Sequence, residues 1–198
     1  MKEKIIILKI LRPLIRFVSK YVLCAEFYGT ENIPKSGGVI LAGTHTHIFD
    51  CLLLISIPNR IPHFLVKKEL YKSKIGAWFF GNSGTIPVDR SKKNPDAMKN
   101  AKDCLYNNKV IAIFPEGTIN KSKNNLLPFK YGATKLSIDT KSVIVPFVIS
   151  GKYKFFRKSV SITFLKPLNV NDDIVKYNNN LITVIENEIV RRKNEKKW

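Results

Sequence analysis

Short apolar runs that end in polar residues recur along the chain, and their length and composition are typical of buried β-strands. They are rich in valine, isoleucine and phenylalanine. The runs cover residues 39–45, 84–90, 110–118, 142–150 and 159–168. A further strand is predicted at the start of residues 63–70, where the pattern then turns helical.

Segments with helical spacing of apolar residues lie between several of these runs. Residues 94–109 predict a helix with Asn94 at its N-cap and Pro95 in its first turn. Other helices are predicted at residues 131–140 and from residue 181 onward, while residues 51–57 fit a helix or a strand. Strands that alternate with helices predict an α/β domain with a mostly parallel central sheet flanked by helices. The loops beyond the carboxyl ends of such strands form the active site.

The N-terminal residues 1–27 predict a basic amphipathic helical segment, and residues 28–198 the α/β domain. Four cations lie on one stripe of a helix that is otherwise apolar. They are Lys9, Arg12, Arg16 and Lys20. Pro13 is expected to kink or split this helix. Three interpretations stay open: residues 1–23 lie on an anionic membrane surface, the helix packs on the core with a solvated polar edge, or the segment resembles a calmodulin target.

No apolar run approaches the roughly 20 residues that a spanning helix needs, so we expect no transmembrane span. The N-terminal apolar segment also lacks a small-residue cleavage site, so no cleavable signal is expected. Three cysteines without a CxxC pattern argue against a disulfide framework and against a zinc site, and no metal is expected.

Net charge narrows the class of partner. The chain has 34 lysine and arginine residues against 15 aspartate and glutamate residues, a formal net charge of +19. Such a field favours polyanions, among them nucleic acid, anionic membranes and phosphorylated substrates. No nucleic-acid motif with a defined docking geometry is visible, and the cations do not interleave with aromatic residues, so no nucleic-acid partner is expected.

The stretch GTHTHIFD, residues 43–50, holds two of the three histidines just before an aspartate. Histidine is the natural general base near neutral pH, and a carboxylate bonded to its far ring nitrogen fixes the tautomer. Asp50 can pair with His45 or with His47, and the charge and strand pattern does not separate the two.

Four short blocks follow one another along the chain. They are HTHIFD at residues 45–50, GTIPVDR at 84–90, FPEGT at 114–118 and IVPF at 144–147. In this order they resemble the glycerolipid acyltransferase family, in particular its bacterial 1-acylglycerol-3-phosphate acyltransferases. The similarity covers about two-thirds of the chain.

This resemblance implies direct acyl transfer to an acceptor hydroxyl, without an enzyme nucleophile. It gives the role of base to His45 and that of orienting acid to Asp50. His47 stands where many relatives carry a serine, and Thr44 where they carry an asparagine. Cys51 lies inside an apolar run, so we expect a small buried residue there rather than a thiol nucleophile.

The resemblance also implies acceptor-binding residues. Arg90 closes the second block, where the family binds phosphate, and its planar fork suits that task. Lys67 matches a family lysine, with Lys68 as the alternative and a solvated face as the other interpretation. Three residues resemble the block that contacts the glycerol acceptor, namely Glu116, Gly117 and Thr118.

One position departs from the family pattern. Relatives commonly read FPEGTRS, whereas Ile119 and Asn120 follow the threonine here. The usual arginine is therefore absent, and a phosphate contact is missing or moved to Lys121 or Lys123.

The resulting expectation is an O-acyltransferase that transfers a fatty acyl group from acyl-CoA or acyl carrier protein to the sn-2 hydroxyl of lysophosphatidic acid, giving phosphatidic acid in phospholipid biosynthesis. No cofactor is expected besides the acyl donor. The protein is expected at the cytoplasmic face of the cell membrane, peripheral or monotopic. Alternatives are a different lysophospholipid acceptor and a non-enzymatic basic protein that binds a membrane or nucleic acid. Donor choice, chain length and oligomeric state do not follow from the sequence.

Overall fold

A computed structural model describes residues 5–58, 60–89, 94–122 and 124–195. The helices are α1 (Ile6–Phe17), α2 (Asp50–Ser56), α3 (Lys74–Asn82), α4 (Pro95–Tyr106), α5 (Gly132–Thr140) and α6 (Ile174–Asn194). The strands are β1 (Glu26–Tyr28), β2 (Val39–Gly43), β3 (Pro62–Lys67), β4 (Ile86–Val88), β5 (Val110–Ile113), β6 (Val143–Gly151) and β7 (Val160–Phe164). A π-helical turn, Val18–Val22, continues α1, and short 3-10 turns cover Thr30–Asn32 and Lys68–Tyr71.

The strands form one seven-stranded sheet in the order β1-β7-β6-β2-β5-β3-β4. The five strands from β6 to β4 are parallel to one another. β7 runs antiparallel to β6, and β1 is parallel to β7, so the two strands at one edge run the other way. The predicted α/β class with a mostly parallel sheet flanked by helices is confirmed.

Helices cover both faces of the sheet. Successive residues of its central strands point to opposite sides, so their apolar side chains need a covering layer on each face. Leu41 of β2 packs in one core with residues of α1 and α2. Its neighbour Ile40 packs in a second core with residues of α4, α5 and α6. All five residues of β2 are buried, which explains their continuous apolar run.

Several element boundaries differ from the predictions. β1 and α3 were not predicted: β1 has only three residues, and α3 is apolar nearly throughout, so it shows little helical alternation. The 51–57 segment is helical, and α6 begins at Ile174 rather than at residue 181. β1 crosses the predicted boundary between residues 27 and 28.

The N-terminal helix runs through Pro13 without a break, so it is not split there. Pro13 is exposed, and a lost backbone hydrogen bond costs least where water replaces it. Leu8 and Leu23 are buried in the core beside α2, so this segment packs on the domain. Within the described ranges, no helix has both the length and the apolar character needed to cross a bilayer.

Arg12 corrects the predicted basic stripe. Its guanidinium points into the fold and donates to the carbonyl oxygens of Ile55 (3.2 Å) and Ile57 (2.5 Å), at the carboxyl end of α2. The other three cations of the stripe are exposed. An outer stripe of apolar side chains is exposed as well; it consists of Ile6, Ile10, Leu14, Phe17 and Tyr21.

Candidate active site

The carboxyl ends of the parallel strands lie at one edge of the sheet and bring the predicted blocks together. β2 leads to His45, β4 to Asp89, β5 to Glu116 and β6 to Tyr153. Gly43 ends β2 where the next strand is very close: a Cβ there would lie 2.0 Å from the carbonyl oxygen of Phe147. A larger residue would therefore push apart the strands that position His45.

His45 and Asp50 form a hydrogen-bonded pair, with 2.9 Å between Nδ1 and Oδ2. Asp50 is fully buried at the start of α2. Its Oδ2 also accepts the backbone N–H groups of Thr46 (2.7 Å) and His47 (2.9 Å). A buried carboxylate is stable only when such donors satisfy it. With Nδ1 held by Asp50, Nε2 is the nitrogen of His45 that is left for chemistry.

Tyr153 is a further partner of this pair, and no pattern in the sequence predicted it. Its hydroxyl donates to Asp50 Oδ1 over 2.6 Å. Burial raises the pKa of Tyr153, and the negative charge of Asp50 raises it further. The hydroxyl therefore stays protonated and acts as a permanent donor to the carboxylate.

The loop after β5 holds the backbone of His45 from both sides. Glu116 Oε1 accepts the His45 N–H over 3.0 Å, and the N–H of Asn120 donates to the His45 carbonyl over 2.7 Å. Glu116 is buried, and its Oε2 accepts the N–H of Leu127 (2.9 Å). The ring of His45 also stacks on Phe114, with 3.8 Å between centroids. These contacts fix the position of the imidazole before any substrate binds.

His47 is held differently, and this separates the two histidines. Its Nδ1 accepts the N–H of Phe49 at 3.3 Å, and its ring packs against Phe49 and Tyr153. Its hydrogen bonds with Asp50 are made by the backbone: the His47 N–H donates to Oδ2, and the His47 carbonyl accepts the Asp50 N–H over 3.1 Å. The geometry therefore pairs Asp50 with the His45 side chain.

A pocket of about 320 Å³ opens beside His45. Its walls are mainly apolar and come from β3, β4, β5, α4 and α5. Lys130 also lines it, and a Cβ on Gly117 would lie 3.2 Å from Lys130 Nζ. This cation was not predicted from the sequence. The available signal was its position in the loop between the predicted 110–118 strand and the predicted 131–140 helix, since such loops form the active-site edge of the sheet.

The predicted binding residues are only partly gathered here. Gly117 lines the pocket, whereas Glu116 is turned to backbone groups. Lys67 and Thr118 are exposed and are not among the described pocket residues. Arg90 lies outside the described residues.

Of the alternative cations, Lys68 and Lys121 are exposed, and Lys123 lies outside the described residues. Burial and the neighbouring Asp50 charge raise the pKa of the Cys51 thiol to about 12, so it is not a thiolate at neutral pH. In the described part of the chain, no group of three or more His, Cys, Asp or Glu side chains is arranged to hold a metal.

A histidine hydrogen-bonded to a buried carboxylate, at the mouth of an apolar pocket on an α/β sheet edge, is an arrangement that can provide a general base for a substrate with an apolar part. The comparison with known sequences gives the class of protein. Residues 24–150 match the Acyltransferase family model, and the chain belongs to this family.

Individual relatives are similar over much of the chain. A 1-acyl-sn-glycerol-3-phosphate acyltransferase from Bacillus subtilis is 29% identical over 152 residues, which are 74% of this chain and 75% of that protein. One of the same name from Saccharomyces cerevisiae is 32% identical over 162 residues, 76% of this chain, and the match spans only 53% of the yeast protein. A crystal structure titled as the 1-acyl-sn-glycerophosphate (LPA) acyltransferase from Thermotoga maritima superposes with a TM-score of 0.74 at 19% identity, over 100% of this chain and 85% of the other. That structure shows the shared fold.

Proposed function

We propose that this acyltransferase acylates the sn-2 hydroxyl of 1-acylglycerol-3-phosphate and so forms phosphatidic acid. The donor is a thioester, either acyl-CoA or acylated acyl carrier protein. The observation that carries the proposal is the 2.9 Å pair of His45 Nδ1 with the buried Asp50 carboxylate beside the apolar pocket. The name of the Bacillus subtilis relative supports the acceptor.

His45 is the general base of the proposed reaction. Its Nε2 takes the proton of the acceptor hydroxyl as that oxygen attacks the thioester carbonyl. A C–O bond forms, the C–S bond breaks, and the departing sulfur takes the proton from the imidazolium. Asp50 stabilises the imidazolium that exists between these two transfers.

The pocket offers an apolar surface for the fatty acyl chain and a cation for the phosphate group. Side chains such as Met98, Ala101 and Leu136 offer an apolar surface to a fatty acyl chain. Lys130 carries a cation to the same pocket, where it supports binding of a phosphate and takes the place of the missing family arginine. Arg90 remains the second predicted phosphate ligand.

The acceptor carries a fatty chain, so we propose that the protein works at the cytoplasmic face of the cell membrane. The exposed stripe of α1 supports this, together with its exposed basic neighbours Lys9, Arg16 and Lys20. The helix α3 packs against α1 and carries Trp78, whose side chain is 64% exposed. Tryptophan is enriched at membrane interfaces.

An acceptor panel tests the function. The purified protein of residues 1–198 is incubated with acyl-CoA or acylated acyl carrier protein and with lysophosphatidic acid, lysophosphatidylglycerol or lysophosphatidylethanolamine. We expect the highest kcat/KM with lysophosphatidic acid, and phosphatidic acid as the product. A higher kcat/KM with another lysolipid would contradict the acceptor but not the reaction class, and no acylation of any lysolipid would contradict both.

A further inference from the structure

The loop between β6 and β7, residues 152–159, exposes two adjacent phenylalanines among cations. Phe155 is 59% exposed and Phe156 is 75% exposed. The loop also carries Lys152, Lys154, Arg157 and Lys158, and it contains no acidic residue. Adjacent exposed aromatic rings flanked by positive charge are typical of surfaces that insert into an anionic interface. We call residues 152–159 the aromatic loop.

The aromatic loop is continuous with the outer stripe of the N-terminal segment. The N–H of Phe156 donates to the carbonyl oxygen of Val22 over 2.6 Å. Lys158 forms an ion pair with Glu26 at 3.6 Å, which ties the loop to β1. The exposed rings of Phe17 and Tyr21, 5.0 Å apart, lie on the segment that ends at this contact. Both surfaces therefore belong to one side of the molecule.

The backbone of Phe156 is unusual for so bulky a residue. Its φ is 57°, in the left-handed region where glycine is preferred. A phenylalanine there costs conformational free energy, and most of its side chain faces solvent. Glycine is therefore a suitable replacement, because it removes the ring without straining the loop.

The same loop reaches the catalytic pair. Tyr153, at its start, donates to Asp50 over 2.6 Å. The ring of Phe155 lies 6.4 Å from that of Phe49, the residue before Asp50. A surface that seats the aromatic loop thus brings the His45 site next to it.

We propose that the aromatic loop is a second membrane contact, which inserts Phe155 and Phe156 into an anionic lipid surface and holds the active site against it. The proposal rests on the membrane-face part of the proposed function. An acidic carrier protein would also match the cations, but it would not require two exposed phenylalanines continuous with the apolar stripe of α1. The lipid surface accounts for both features.

The test uses the protein of residues 1–198 and a double variant, Phe155→Ser with Phe156→Gly. Tyr106→Ala is the matched control, because Tyr106 is 61% exposed on α4, against the opposite face of the sheet. Binding is measured by co-sedimentation with phosphatidylglycerol-containing vesicles and with pure phosphatidylcholine vesicles. Activity is measured on lysophosphatidic acid embedded in vesicles and on a short-chain analogue dispersed in water.

We expect the double variant to bind anionic vesicles about tenfold more weakly than the wild type and the control. The ratio of its kcat/KM on embedded acceptor to that on dispersed acceptor should fall by a similar factor. Unchanged vesicle binding overturns the proposal, and so does an equal loss on both acceptors. Normal vesicle binding with a loss confined to acyl carrier protein as donor would assign the loop to that partner instead. If the wild type acylates no lysolipid, the proposed function is wrong. The vesicle assay still tests whether the aromatic loop contacts the membrane, because it does not depend on activity.

Discussion

Glu116 lies buried beside His45, and both of its carboxylate oxygens accept backbone N–H groups, one from His45 and one from Leu127. The family resemblance implied contact with the glycerol acceptor instead. The two roles differ in what a small change does. A residue that positions the base affects kcat, whereas a residue that binds the acceptor affects KM.

Glu116→Gln therefore provides the first prediction. Glutamine has one acceptor oxygen, so its NH₂ group would face one of the two N–H donors. We expect kcat to fall about tenfold or more, because a misplaced base is costly, while KM for the acceptor changes little. Steady-state kinetics with the acceptor as the varied substrate measure both values. A raised KM with an unchanged kcat would indicate that Glu116 binds the acceptor instead.

Tyr153→Phe tests the third member of the hydrogen-bonded group. The variant keeps the ring and removes the donor to Asp50 Oδ1. With one donor fewer, Asp50 is held less firmly and orients His45 less well, so we expect kcat to fall about fivefold while KM for the acceptor changes little. Steady-state kinetics with the acceptor as the varied substrate measure both values. A kcat equal to that of the wild type would reduce Tyr153 to a packing role.

Some residues of the candidate site could be predicted from the sequence, and others could not. The His-Asp spacing and block order pointed to His45, and the structure pairs its ring with Asp50. Tyr153 and Lys130 were missed because each reaches the site only through the fold. Tyr153 is 103 residues from its partner in sequence. The contact of Arg12 with the end of α2 was missed for the same reason. Helical spacing predicts which side of α1 carries Arg12, but it does not predict which helix packs against that side.

At the scale of elements, the contact of α1 with α2 links the N-terminal segment to the hydrogen-bonded pair of His45 and Asp50. Arg12 donates to two carbonyl oxygens at the end of α2, and Asp50 begins the same helix. The carbonyls at a helix end have no partner within the helix, and a cation there is favourable. The arginine thus stabilises the helix whose first residue, Asp50, is hydrogen-bonded to His45.

Arg12→Met should therefore destabilise the fold. We expect the free energy of unfolding to fall by about 1–3 kcal/mol, because two carbonyl groups lose a charged donor. Arg16→Met is the control: Arg16 is exposed on the same helix, and its loss should cost about 0.5 kcal/mol or less. Urea denaturation followed by circular dichroism measures both. Equal midpoints for the two variants would contradict the role given to Arg12.

Elements with a strong pattern were the predictable ones. The buried strands β2, β5 and β6 followed from continuous apolar runs, since both of their faces are covered. β1 has only three residues, and pairing with β7 defines it, so it left no periodic pattern. The reversed direction of β7 could not be predicted, because strand direction depends on its connection rather than on its composition.

At the scale of the whole molecule, charge and exposed apolar side chains occur together on one side. The net charge is +19, and the stripe of α1 lies next to three exposed cations. Removing the first 23 residues is a poor test of membrane binding, because Leu8 and Leu23 belong to the core. Substitutions on the outer stripe leave those contacts in place.

Ile10→Ser with Leu14→Ser is the sharper test. These side chains are 70% and 60% exposed, and their loss should weaken binding to anionic vesicles about tenfold. Val175→Ser with Val190→Ser is the control, with similar exposure on α6 against the other sheet face. Vesicle co-sedimentation at low and high salt measures the effect, and wild-type binding should weaken as salt rises. Equal binding by both double variants would argue against the stripe.

The measurement closest to the central claim compares two alanine variants in the acyl transfer assay. His45→Ala and His47→Ala are assayed with lysophosphatidic acid and the donor that the wild type uses. We expect phosphatidic acid formation to fall about 10³-fold in His45→Ala, because the base is lost. His47→Ala should stay within about tenfold of wild type, since its ring only accepts a backbone N–H and packs on neighbours. Near-normal activity of His45→Ala, or a collapse seen only in His47→Ala, would contradict the account.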